Sequence, residues 1–374
     1  MITSPRFWFA LVLCATSLEA FDRPEVTFQI YQFPANQIPR IDGNSSDWEI
    51  VPSHYTIGLE HLIDGDRRKP EPDPASLDVR VRVGWVKGLN RLYFLYEAYD
   101  NYWHFASPGL HNDTFEIIVD GDASGGPLVD QSHRDVFRPE IVGANRAVLD
   151  ERLSVAEAHW AHHGVHAQNY HIFTPAVDKD WAMVWGSPTW IKNLPYANAA
   201  SRFDFRPGEG GRLVLEFWIT PFDYAGPEGP ARAVESILAE NKLIGLSWIV
   251  IDYDDADSRR KDGFWILSRH RNSFADASAL PAFRLMPLEP DQRPTLAAQW
   301  SFTVADPQRR LVAFRDESVG EVTSWRWDFG DGETSEEQHP VHQYAAPKDY
   351  VVILEVTGPA GTSRRSKVWD VQLK

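Results

Sequence analysis

Five histidines fall within "HWAHHGVHAQNYH" (159–171), in a chain with thirteen histidines altogether. His159, His162, His163 and His166 are spaced i, i+3, i+4, i+7, which on a helix would put four imidazoles on one face. Zinc is held by histidines at such spacing, often with a carboxylate, and Glu157 and Asp150 are close in sequence. The H-E-x-x-H signature of zinc proteases is absent, and Gly164 weakens a continuous helix. Three readings stand: a metal site, a set of sugar-contacting or acid–base imidazoles including His166 and His171, and a polar loop packed on the rest of the fold.

Other residues carry chemistry nearby. "DWAMVWGSPTW" (180–190) holds Trp181, Trp185 and Trp190 in a Gly- and Pro-containing segment. Such rings either stack on the apolar faces of sugars or plug the edge of a sheet. "DGDASGG" (120–126) and "DYDDADSRRKD" (252–262) are acid-rich turns. Asp252, Asp254 and Asp255 are the candidate ligands for calcium, which takes several oxygens, although the spacing is not that of an EF-hand. For an enzyme, glycoside hydrolysis needs two carboxyls across a sugar bond, and a polysaccharide lyase needs a base such as His, Tyr or Lys. Glu116, His166, Tyr170, His171 and Arg269 are the available parts, without a recognisable hydrolase or lyase motif.

The elements that must position these residues read as strands. "DVRVRVGWV" (78–86), "RLYFLYEAYD" (91–100), "TFEIIVDGD" (114–122), "NYHIFTPA" (169–176), "RLVLEFWITPF" (212–222), "KLIGLSWIVIDYDD" (242–255) and "FWILSRH" (264–270) are β-branched or aromatic runs. Each ends at a turn-forming residue, the strand signature. "ARAVESILAENK" (231–242) is the clearest helix candidate, with Val234, Ile237 and Leu238 on one face. "LEPDQRPTLA" (288–297) reads as a linker.

Composition narrows the function classes. The 374 residues favour about two domains. Residues 1–20 read as a signal peptide, with Arg6, an apolar run Phe7–Leu13 and Ala20 at a plausible cleavage position. The expected location is therefore secreted, periplasmic or extracellular. The one cysteine, Cys14, lies inside that segment, so the mature chain would use neither disulfides nor thiol chemistry. A net charge of −16 and the lack of a notable basic tract argue against nucleic acid. No later segment has the length of a membrane span. Fifteen tryptophans exceed what a core of this size calls for and favour a stacking surface.

Near the C-terminus, "SWRWDFGDGETSEEQHPVHQYAAPKDYVVILEVTG" carries Trp327-Asp328-Phe329-Gly330-Asp331-Gly332, then His342-x-Tyr344, then an alternating strand. This closely resembles a polycystic kidney disease (PKD) repeat domain. The resemblance implies a small Ig-like sandwich that acts as a spacer or interaction module, including contacts at a cell surface, and it implies no catalysis. Asp328 and Asp331 are then turn residues that bond backbone.

The longer N-terminal part opens with Ile41-Asp42-Gly43 ahead of Asp47-Trp48. A strand ending in Asp100 follows, then Asp113-x-x-Glu116 with Asp120, then Glu216 with Pro221, then Asp252-x-Asp254. In this order the pieces resemble family 9 carbohydrate-binding modules and their β-sandwich superfamily. The resemblance implies sugar binding between two tryptophans, with Glu116 as a sugar-contacting acid and Asn272 near a matching amide. Leu110 stands where the first tryptophan is expected, Phe274 is the nearest match to the second, and Trp103 is the candidate replacement. The histidine stretch lies in extra material at 123–200.

The expectation is an all-β chain. A large antiparallel β-sandwich with long loops (21–290) follows the signal and precedes a small C-terminal Ig-like β-sandwich (291–374). The expected partner is a polysaccharide, bound by Trp103, Glu116, His166, His171, Trp181, Trp185, Trp190, Arg269, Asn272 and Phe274. The alternatives are a polysaccharide-degrading lyase or hydrolase, and a structural surface protein without sugar binding.

Overall fold

The structure, a computed structural model, describes residues 21–105, 112–129, 164–173, 182–185, 189–192, 194–226, 229–255, 261–293 and 296–372. The chain is all-β, and among the described residues every helical segment is a 3-10 turn of three or four residues. None is long or apolar enough to cross a membrane. The chain divides into two compact units after Leu288.

The larger unit is a sandwich of two sheets. One runs in the order Ala182–Trp185, Gln168–Phe173, Thr114–Asp120, Leu243–Asp252, Pro281–Leu285. The other contains Leu77–Trp85, Leu92–Asp100, Gly211–Ile219 and Ala197–Phe203. The first strand, Asp22–Gln32, belongs to both: it pairs in parallel with Pro281–Leu285, then through Tyr31 and Gln32 with Leu77–Trp85. All seven runs read as strands from the sequence form strands, with ends shifted by a few residues.

Period two decides which side chains meet between the sheets. Phe115, Ile117 and Val119 face Phe94, Tyr96, Leu215 and Phe217 in the main core. Tyr96 and Phe115 stack with centroids 4.2 Å apart, a contact worth about 0.5–1.5 kcal/mol beyond burial. The outer faces are covered as well. Ile118, Ile249, Ile251 and Phe264 lie under Leu128, Val129, Val165 and Tyr253. On the other sheet, Tyr93, Leu95 and Trp218 pack with Phe33, Trp48 and Tyr55.

Asp42, Gly43, Trp48 and Glu216, separate in sequence, form one anchor. The Glu216 carboxylate accepts from Trp48 Nε1 (2.9 Å), Asn44 N (2.9 Å) and Asp42 N (3.3 Å). Gly43 sits at φ +78°, where a Cβ would come within 3.0 Å of the Ser201 backbone, so the close approach needs glycine.

The helix expected over 231–242 does not form. Pro230–Arg232 make a 3-10 turn, and Val234–Glu235 pair with the Phe222–Tyr224 strand. Ser236 holds the chain extended: its N bonds Pro221 O (2.9 Å) and its hydroxyl bonds Asp223 (2.5 Å). Local serine bonding competes with helix, and only Leu238 of the three periodic residues is buried, with Val234 and Ile237 exposed.

The smaller unit is a two-sheet sandwich. Trp300–Asp306, Leu311–Asp316 and Val341–Gln343 form one sheet, and Thr334–Ser335, Ser324–Asp328, Asp349–Gly358 and Gly361–Gln372 form the other. Trp327 and Phe329 both point inward. Trp327 Nε1 donates to Glu337 O (2.9 Å) and the Tyr344 hydroxyl to Phe329 O (3.1 Å). Asp328 and Asp331 accept from Gly330 N and Glu333 N, both at 3.0 Å, and so close the turns.

Candidate functional site

On the Thr114–Asp120 strand, Glu116 points to the outer face with Ile118, away from the main core. Antiparallel register sets His171 directly opposite Glu116, and Asn169 opposite Ile118. Residues opposite one another share a face, so three polar groups meet in an apolar setting. His171 Nε2 lies 3.0 Å from Glu116 Oε1, and Asn169 Nδ2 donates to the same oxygen at 2.8 Å. Asn169 Nδ2 also reaches the carbonyl of Phe274 at 3.1 Å. Glu116 is 2% exposed and His171 7%. Burying a carboxylate costs several kcal/mol unless it is paired; here the Asn169 amide donates to it and the His171 imidazole lies within ion-pair distance.

The other expected binding residues fall in different places. Phe274 packs on the same outer-face cluster, at the end of the 3-10 turn Arg271–Phe274. Asn272 is exposed in that turn. The backbone register places Trp185 opposite His171, and Trp181 lies outside the described residues.

Trp103 is no exposed platform. It is buried at 3%, stacked between Phe105 and Phe205, and its Nε1 bonds Gly211 O at 2.9 Å. Trp190 is also turned inward, edge-on to Tyr196 and Phe222 and bonded to Gly226 O. It takes the plugging role rather than the stacking one.

Arg269 is drawn away to Glu25, and its backbone N to Asp22. His166 sits on a bend before the Gln168 strand, beside Tyr224, with its backbone N on Leu128 O. It is therefore not on a helical face, while His159, His162 and His163 lie outside the described residues.

A second cluster lies where the two sheets meet. Asp100 ends its strand in one sheet, Asp252 ends its strand in the other, and Asp254 follows. One carboxylate oxygen from each lies within 4.8 Å of the others. Asp113 is the hinge beside them, accepting from His104 N (2.5 Å) and Tyr253 N (2.7 Å).

Burial, then repulsion from Asp252, pushes the Asp100 carboxyl up to about 8. Burial, then repulsion from Asp254, pushes Asp252 up to about 7. Asp113 and Asp254 are raised for the same kind of reason, burial first. Asp252 Oδ1 and Asp254 Oδ1 are buried with no hydrogen-bond partner among the described residues.

Oxygen-only donors that repel one another fit a hard divalent cation such as calcium. The trio keeps Asp252 and Asp254 and replaces the expected Asp255, which is exposed, with Asp100. In the other acidic turn, Asp120 and Asp122 bond each other and the backbone of Gly125 and Ser124, which closes a turn.

Asn169 and Asp100 were not singled out as ligands by sequence. The alternation Asn169-x-His171 opposite Glu116 was the available signal for the first. For the second it was a strand ending in an aspartate.

Comparison with known proteins divides the same way. Residues 291–373 match the family model for the PKD domain. A 42-residue stretch is 48% identical to a microbial collagenase of Vibrio alginolyticus, covering 11% of this chain and 5% of that relative's length. A family 9 carbohydrate-binding module from Caldicellulosiruptor kristjanssonii, solved with cellotriose, is 12% identical at a TM-score of 0.39, covering 71% of this chain and 97% of that one. The PKD1 domain of Vibrio anguillarum Epp is 27% identical at a TM-score of 0.20, covering 22% of this chain and 98% of that one.

Proposed function

We propose that the protein is exported and binds an extracellular polysaccharide through its larger unit without covalent chemistry, the PKD domain serving as spacer or interaction module. The observation that carries this is the Glu116–Asn169–His171 cluster beside Phe274. A few directional polar groups set in an apolar, aromatic surround suit a sugar, whose hydroxyls need partners and whose ring faces need flat apolar contacts. The order of sequence pieces that resembles family 9 modules puts Glu116 in the sugar-contacting position. Residues 1–20 support export.

Calcium at Asp100, Asp252 and Asp254 belongs to this reading as a structural ion. It would tie the two sheets together and fix Tyr253 and Asp113 near the outer face.

Titration calorimetry of residues 21–374 against neutral and acidic polysaccharides tests the proposal. Saturating heat in the wild type is the expected result, and silence across the panel would reject it.

A second reading has one observation in its favour. A carboxylate 3.0 Å from an imidazole is the pairing used in general acid–base work. Release of reducing or unsaturated sugar ends over time would move the protein to the degrading enzymes. Constant polymer length keeps it a binding module.

A further inference from the structure

The turn after Ile63–Asp64 and the residues entering Gly263–Ile266 are neighbours, because Asp64 pairs with Trp265 across the two strands. Asp64 is buried and rigidifies the turn by accepting from Asp66 N (3.0 Å), Arg68 N (2.7 Å) and Lys69 N (2.9 Å). This brings three cations onto one carboxylate. Arg68 Nη2 is 3.3 Å, Lys261 Nζ 3.5 Å and Arg271 Nε 2.9 Å from Asp66. Lys261 also lies 3.7 Å above the Phe264 ring and Arg271 5.3 Å.

The acids around this cluster are engaged elsewhere. Asp262, next to Lys261, accepts from Asp254 N. Asp252 and Asp254 belong to the cluster with Asp100 described above. Among the described residues the cluster therefore sets the three cations against two carboxylates, Asp66 and the buried Asp64, an excess of one positive charge. Acids outnumber Lys and Arg 53 to 37 over the whole chain, so a local excess of this sign is unusual. It also carries a cost: burial first, and then Arg271 and Arg68, depress the Lys261 ammonium, against the pull of Asp66. Like charges held this close on a rigid turn are stabilised by an arriving anion.

The cluster is continuous with the Glu116 face. Arg271 opens the 3-10 turn whose last residue, Phe274, accepts from Asn169, the partner of Glu116. At about 2 Å of rise per residue the two ends of that turn are about 6 Å apart.

We propose that Arg68, Lys261 and Arg271 form an anion subsite of the binding face, so that the polysaccharide recognised there is acidic. Arginine pairs with carboxylate or sulfate through two parallel hydrogen bonds, and lysine adds a point charge. The inference rests on the Glu116 reading and adds the ligand's charge to it.

The test titrates residues 21–374 with oligogalacturonides, with their methyl esters, with carrageenan oligosaccharides and with neutral cello-oligosaccharides, each at low and high salt. At least one acidic probe should bind about tenfold or more tighter than the neutral ones and weaken with salt. Preference for the galacturonide assigns carboxylate, and preference for carrageenan assigns sulfate. Arg271→Gln, at a half-exposed position, and the double variant with Lys261→Gln should remove that preference, with thermal melts confirming that each variant is folded. Equal, salt-insensitive binding of charged and esterified probes would overturn the subsite while leaving the Glu116 reading intact. Unaltered acid preference in both variants would overturn it too. Absence of binding to every probe would reject both.

Discussion

Asp331 of the smaller unit and the Asp100–Asp252 pair of the larger have opposite fates. In the smaller unit, Asp331 is compensated. It accepts from Glu333 N and lies 2.7 Å from His342 Nε2, and His342 stacks on Phe329. Burial raises its carboxyl, but the bond to His342 and the turn amides outweigh that and hold it below the usual range. In the larger unit, Asp100 and Asp252 face other acids and are pushed up to about 8 and about 7. Both sets occur in short D-rich motifs, so their sequences look alike. Surroundings separate them: Asp331 has a histidine and a turn amide beside it, whereas Asp100 and Asp252 have other carboxylates.

The largest expected effect on folding falls in the smaller unit. Trp327 is fully buried against Trp300 and Phe314. Trp327→Ala should cost that unit about 3–5 kcal/mol. Denaturant melts should then separate into two transitions while the larger unit keeps its midpoint.

The next effect belongs to the acid cluster. Calcium at one hundred times its Kd stabilises by about 2.7 kcal/mol, so a chelator should lower the larger unit's Tm by several degrees. Asp252→Asn should make the melt insensitive to the chelator.

The pH dependence sharpens the contrast. Asp100 and Asp252 keep protons in the folded state that the unfolded chain loses near its ordinary value of about 4. Without calcium, stability of the larger unit should therefore fall as pH rises from about 4 to about 8. The gain from calcium should be greater at pH 8 than at pH 5. Asp331 is depressed instead, so its contribution is present above about 4 and is lost as pH falls through its lower folded value. Melts of the two units that shift in the same direction across this range would break the comparison.

A smaller effect is expected of Asp331→Ala. It loses a turn bond and the His342 partner, a change of about 1–3 kcal/mol, visible as a lower midpoint for the smaller unit alone.

Much of the fold is legible in sequence because β-branched and aromatic runs alternate between turn residues. Which faces are buried is less so. Thr114–Asp120 is buried along its whole length, since loops cover the side that alternation would leave to solvent. The 231–242 stretch misleads because a serine hydroxyl and a neighbouring strand override helical periodicity. The PKD motif is readable down to its turn bonds, which are local.

The candidate sites are readable in halves. Asp252 and Asp254 are two residues apart in sequence, but Asp100 joins them from the other sheet. Glu116 follows from its motif, while Asn169 and His171 become its neighbours only through strand register. Trp103 illustrates the converse: an aromatic in the right part of the sequence has its indole bonded inside the core.

The most direct test compares wild type with Glu116→Gln by calorimetric titration against the best-binding polysaccharide, with thermal melts confirming that both are folded. Saturable heat in the wild type, and affinity reduced about 30-fold or more in the variant, is the result expected if Glu116 belongs to the proposed binding face. Equal affinity in the two proteins would contradict the account and place binding elsewhere on the molecule.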